Sequence, residues 1–199
     1  ADGGLSDFGR AVVGEMNRVG AIVDVAHAGW RTSLEAARAS GRPMVASHSG
    51  CCALNRHIRC KPDEVIRAIA DTGGYIGICS IPAFMGRSGD IRAMLDHVDH
   101  VARTFGVDYV TIGTDTAYTS RAMVVERKKV AARRKTRSRW EGFWPPDAFD
   151  EKWRQEHMTL SLSWTNWPLF TVGLVQRGYT DDDIRKILGG NMLRVARAV

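Results

Sequence analysis

Two histidines, one aspartate and one arginine are the residues of this chain whose types and spacing suit chemistry. His27 closes the apolar run Ala21-Ile22-Val23-Asp24-Val25-Ala26, and His48 closes Met44-Val45-Ala46-Ser47. Asp115 follows Tyr109-Val110-Thr111-Ile112-Gly113-Thr114. The histidines lie 21 residues apart, about one βα unit. Neutral imidazole is the commonest nitrogen ligand of zinc, so two of them at strand ends make a reasonable metal pair. The plainer alternative is that each histidine caps its strand and bonds to backbone. Arg59, in the loop after the His48 strand, carries a planar fork suited to a carboxylate, or is simply solvated. His97-Val98-Asp99-His100 is written like a metal motif, but it falls in helical register. On a helix His97 and Asp99 point about 200° apart, and the expectation is a solvated face with Val98 turned inward.

These side chains need a scaffold, and the chain alternates helical and strand signals. Residues 6–19 form a helix with Ser6 as N-cap, Gly20 as stop and Val12, Val13, Met16 and Val19 on one face. Residues 31–40 form a second helix. A third begins near Pro62, with Val65, Ile66 and Ile69 apolar, and ends at Gly73-Gly74. A fourth spans Asp90 to Phe105, with Ile91, Met94, Leu95, Val98 and Val101 in register. The strands are 21–27, 44–48, 75–79 and 109–113, short and nearly all apolar, as in a parallel sheet covered on both faces. Helices between such strands imply right-handed βαβ units and an α/β fold. In parallel barrels the C-terminal strand ends share one face, which carries the chemistry. The rhythm stops after Asp115. Residues 116–160 form an excursion, first basic and then aromatic around Trp140, Phe143, Trp144, Pro145 and Pro146. A helix near 165–177 and a pair near 181–199 close the chain, with Asn191 as N-cap of the last.

Composition sets the bounds. With 199 residues, 44% hydrophobic and 25% charged, the chain suits one soluble domain over 1–199 and not a disordered one. No apolar run approaches the ~18–20 residues of a membrane span. Residues 121–139 hold nine Lys or Arg against Glu126 alone, a local +8 that leaves −2 elsewhere from the total of +6. Such a segment could serve as a nucleic-acid arm; a solvated helix or loop near the site mouth is the favoured reading. Cys51, Cys52, Cys60 and Cys79 show no C-x-x-C spacing, so neither a disulfide scaffold nor a zinc ribbon is supported. With no signal peptide at Ala1-Asp2-Gly3-Gly4-Leu5, the expected location is cytoplasmic. Lacking an initiator Met, the chain is read as starting inside a longer gene product.

An ordered set of segments resembles the membrane (renal) dipeptidase family, zinc metallopeptidases of the amidohydrolase-like barrel group. The segments are Ile22-Val23-Asp24-Val25-Ala26-His27, Val45-Ala46-Ser47-His48-Ser49, His57-Ile58-Arg59, His97-Val98-Asp99-His100, Ile112-Gly113-Thr114-Asp115, Arg177-Gly178-Tyr179-Thr180 and Leu188-Gly189-Gly190-Asn191-Met192-Leu193-Arg194-Val195. The resemblance implies a dipeptide hydrolase with two zinc ions. His27 and His48 would bind the second zinc, Asp115 would handle the proton, and Arg59 would hold the substrate's carboxylate. It also implies that this chain is the C-terminal half of a (β/α)8 TIM-type barrel. The family's first-strand His-x-Asp and its bridging Glu find no match here; Glu35 and Glu64 fall on helices. Where the family has Asp-Phe-Asp-Gly, this chain has Asp115-Thr116-Ala117-Tyr118, which alters the loop and the substrate range. The missing N-terminal half, or a second copy in a homo-oligomer, would close the sheet. The alternative is an inactive half-barrel serving as a binding or assembly module.

Overall fold

The structure, a computed structural model, describes residues 3–116, 121–129, 147, 150–163 and 165–199. Trp140, Phe143, Trp144, Pro145 and Pro146, and most of the basic segment, lie outside the described residues. In chain order the elements are α1 (Asp7–Val19), α2 (Trp30–Ala39), β1 (Val45–Cys51), β2 (Cys60–Lys61), α3 (Asp63–Asp71), β3 (Tyr75–Ile78), α4 (Pro82–Met85), α5 (Ile91–Thr104) and β4 (Val110–Ile112). Then come α6 (Arg121–Arg127), α7 (Glu156–Ser161), α8 (Trp167–Gln176), α9 (Asp181–Arg185), a π-type turn Lys186–Gly190 and α10 (Asn191–Ala198). The four strands are all parallel in the order β2-β1-β3-β4.

Local chemistry explains most boundaries. Ser6 caps α1 by accepting the Gly9 N–H at 3.0 Å, and Gly20 ends it in the left-handed conformation. The expected four-residue face of α1 is narrower: Val13 is buried and Met16 half-buried, while Val12 and Val19 are exposed. Helices α3 and α5 bury Val65, Ile66 and Ile69, and Met94, Leu95, Val98 and Val101, in one core with the strand residues Ala46, Ile76, Ile78, Val110 and Ile112. At roughly 25 cal/mol per Å² of apolar surface, each such side chain contributes about 1.5–3 kcal/mol.

Four expectations are corrected. The 21–27 strand reduces to a single parallel bridge, Asp24 to Val45, flanked by Val25 N–H to Val45 O and Val45 N–H to Val23 O. Strand β1 does not end at His48 but runs on to Cys51, because the unforeseen β2 pairs Cys60 and Lys61 with Gly50 and Cys51. His97 is not solvated; it is fully buried, accepting the Cys51 N–H at Nδ1 (2.9 Å) and donating from Nε2 to Met85 O (3.0 Å). Asn191 is no N-cap, since it and Gly190 before it are already helical, and the break in the π-type turn falls at Gly189 with φ 175. Its amide instead donates to Val107 O and Val110 O, both at 2.8 Å.

The four cysteines are free thiols, with Cys51, Cys60 and Cys79 buried. Burial pushes their acidity down: Cys79 is raised to about 12 and the half-buried Cys52 to about 11. No helix among the described residues is long and apolar enough to cross a membrane.

Candidate active site

Register explains why the two histidines meet. The bridge sets Asp24 beside Val45 in parallel, so three residues further along each chain His27 and His48 stand at one height. Their Nε2 atoms are 2.9 Å apart, with ring centroids at 4.9 Å and planes at 64°. His27 sits at the third position of a turn closed by Ala28 N–H to Val25 O. His48 sits at an irregularity where the β1–β3 register slips between Ala46 and Ser49. Two glycines make room for that slip. A Cβ on Gly77 would stand 2.0 Å from Ser47 O, and one on Gly113 would stand 1.8 Å from the same oxygen. No side chain tolerates such an approach, so both positions must stay bare.

Asp24 ties the two segments together. Its Oδ1 accepts Ala26 N–H at 2.9 Å and Ser47 N–H at 3.0 Å, and its Oδ2 accepts the Ser47 hydroxyl at 2.5 Å. The one Ser47 hydroxyl proton is thus committed to Asp24. Ser47 Oγ, 2.8 Å from His48 Nδ1, therefore accepts that ring's N–H. Neutral His48 then carries its lone pair at Nε2. Arg59 Nη2 donates to His27 Nε2 at 3.2 Å, so that nitrogen carries no proton and its lone pair accepts from the guanidinium. Burial, then the charge of Arg59, hold the His27 pKa below its ordinary value.

Two unprotonated ring nitrogens 2.9 Å apart offer a donor set to a cation. Two nitrogens 2.0–2.1 Å from one tetrahedral zinc stand about 3.3 Å apart, close to the spacing found. The pair thus fits a metal ion as two of its ligands. Among the described residues no group of three or more His, Cys, Asp or Glu could hold one.

Arg59 and Asp115 complete the cluster. Arg59 enters β2 level with Ser49, whose hydroxyl donates to its carbonyl at 2.5 Å. The guanidinium is buried, lies 5.1 Å from the Phe84 ring centroid, and has at Nε a buried N–H without a partner. Asp115 Oδ1 is 3.9 Å from His48 Nε2. Asp115 has φ 57, a left-handed conformation rare outside glycine, Asn and Asp. All four residues read from the sequence are therefore brought to one place. Missed were Lys61, Gly77 and Gly113. The glycines inside apolar strands are a signal of close backbone approach; a lysine in a loop-like stretch gives none.

A parallel α/β sheet with paired histidines, a buried arginine and an aspartate at one mouth is the architecture of a barrel metallohydrolase. Residues 1–129 match the family model described as membrane dipeptidase, peptidase family M19, and the chain belongs to that family. It is 29% identical over 199 residues to Dipeptidase tcpJ of Claviceps purpurea, covering 98% of this chain and 39% of that protein. Among solved structures it resembles an amidohydrolase from Pseudomonas aeruginosa, with TM-score 0.73, 28% identity, and 100% and 58% of the two chains covered. It also shares the fold of a metallopeptidase from Rhodobacter sphaeroides liganded with a phosphinate mimic of the dipeptide L-Ala-D-Ala. There the TM-score is 0.71, identity is 22%, and coverage is 98% and 47%. The chain thus spans about 40–60% of the length of these relatives.

Proposed function

We propose that this chain is the metal-binding C-terminal half of a zinc-dependent dipeptidase. The observation that supports it most is the convergence of His27 and His48 at 2.9 Å, beside a buried Arg59 with an unpartnered Nε. His27 and His48 would be the ligands that the described residues give to one zinc of a two-zinc centre. Such a centre supplies Lewis acidity toward the peptide carbonyl and the attacking water.

The chain's own residues do the remaining work. Arg59 holds the dipeptide's free carboxylate through paired, charge-assisted N–H bonds, which places the peptide group at the histidines. Asp24 and Ser47 keep His48 in the tautomer whose Nε2 lone pair faces the centre. Asp115 accepts the proton of the attacking water and returns it to the leaving amine, as base and then acid.

The test is hydrolysis of a dipeptide panel by the gene product carrying this chain, with and without a chelator, beside Arg59→Ala. Metal-dependent turnover is expected. The variant should lose about 2–3 kcal/mol of transition-state binding, tens- to hundreds-fold in kcat/KM, for free dipeptides and far less for their C-terminal amides. Equal loss on both substrates would remove Arg59 from the carboxylate site.

A further inference from the structure

Among the largest fully buried side chains of the described residues is a lysine, and it sits under the His27 turn. Lys61 is 0% exposed. Lysine is almost never fully buried unless its ammonium is satisfied. Here Nζ donates to Val25 O at 2.7 Å, to Ala28 O at 2.7 Å and to Ser33 Oγ at 3.1 Å. Val25 and Ala28 are the first and last residues of the four-residue turn that carries His27. The ammonium therefore bridges the two ends of that turn from below. Asp24 holds its flank through Ala26 N–H, and Arg59 touches the ring itself. Arg59 and Lys61 are two residues apart at β2, where alternate residues share a side.

We propose that Lys61 is a positioning residue: its ammonium fixes the 25–28 turn, and so sets where His27 stands relative to His48. The inference rests on the metal-pair reading above. A methionine would fill nearly the same volume. It would remove the donor shared by Val25 O and Ala28 O; Ser33 Oγ approaches the latter at 3.5 Å. The turn would then be free to open, and the two ring nitrogens would no longer be held 2.9 Å apart. The effect would be that of other groups which orient a metal ligand without touching the metal, typically 10–100-fold in affinity.

The experiment compares the gene product carrying this chain with its Lys61→Met and Ser33→Ala variants, the second stripping one acceptor while leaving the lysine. Zinc affinity is read by competition with a chromophoric chelator, and hydrogen exchange at Ala28 N–H is read in the metal-free protein. Lys61→Met should weaken zinc by about 10–100-fold and speed Ala28 exchange by at least about tenfold. Ser33→Ala should move both in the same direction by a few-fold, and it decides the matter if Lys61→Met does not fold. In a His27→Ala background, Lys61→Met should cost no further zinc affinity, because it acts through that ring. Wild-type zinc affinity and Ala28 protection in the variants would overturn the proposal. A His27→Ala protein that still binds zinc like wild type would instead overturn the metal-pair reading, while Ala28 exchange would still judge Lys61.

Discussion

Asp115 combines two demands on one residue: a carboxylate near His48 and a left-handed backbone. Asparagine tolerates that backbone almost as well as aspartate, but its amide accepts no proton at neutral pH. Asp115→Asn should therefore cut kcat by about 10²–10⁴-fold and leave the melting temperature nearly unchanged. Asp115→Ala adds backbone strain and should lower both. Steady-state kinetics and thermal unfolding of the two variants check this; near-normal kcat in a metal-replete Asp115→Asn protein would take the proton from Asp115. His27, His48 and Asp115 were legible because polar residues at the ends of apolar runs stand out, whereas Arg59, in a loop, rested on the family segment His57-Ile58-Arg59. Lys61 was not, because a lysine beside a proline reads as surface, and only the fold shows that three oxygens surround it.

At the scale of elements, the site depends on how β1 is held. The slip at Ser47–His48 is clamped by Gly77 and Gly113 from one side, and the far end of β1 is clamped by His97. That ring bridges Cys51 N–H and Met85 O, joining β1, α4 and α5. Burial, against a smaller opposing effect of the Met85 hydrogen bond, lowers its pKa from 6.5 to about 4. Between those values the unfolded chain binds a proton that the folded chain refuses, so stability rises with pH across the window. The contribution is complete above pH 6.5 and is lost as pH falls through it toward 4, by roughly 3 kcal/mol at the limit. Denaturant unfolding at pH 7 and 4.5 should show this fall, and His97→Gln should flatten it; an equally steep fall in the variant would exclude His97 as its source. Helix periodicity made α1, α2, α3, α5 and α8 legible to within a residue or two. It could not show a two-residue strand, nor a register slip, since neither leaves a period in the sequence. The same limit placed His97 on the wrong face: spacing put it beside inward Val98, and its polarity argued for water.

Across the molecule, the sheet of four parallel strands ends at β2 on one side and β4 on the other, with the Asp24 bridge at one end of β1. Among the described residues, the two histidines are one ligand short of the three that even an open zinc site uses. The isolated 199-residue chain should therefore bind zinc weakly and hydrolyse no dipeptide at the ordinary enzyme rate of about 1–10³ per second. Addition of the rest of the barrel should be needed, since a second copy would cover the sheet edges but only duplicate the two histidines. Stoichiometric binding of two zinc ions with turnover by the chain alone would contradict this. The α/β class and the half-barrel extent were legible from the rhythm of strands and from the family segments, whereas the edges are a property of assembly. The buried thiols have a practical corollary. Cys51 on β1, Cys60 on β2 and Cys79 just past the end of β3 lie beyond the reach of water, so each acts as a silent clock for the opening of the sheet. In an alkylating reagent Cys52 should label first, and the other three together at the rate of global unfolding. Stepwise labelling would mean that the sheet comes apart strand by strand, with each strand keeping its own time.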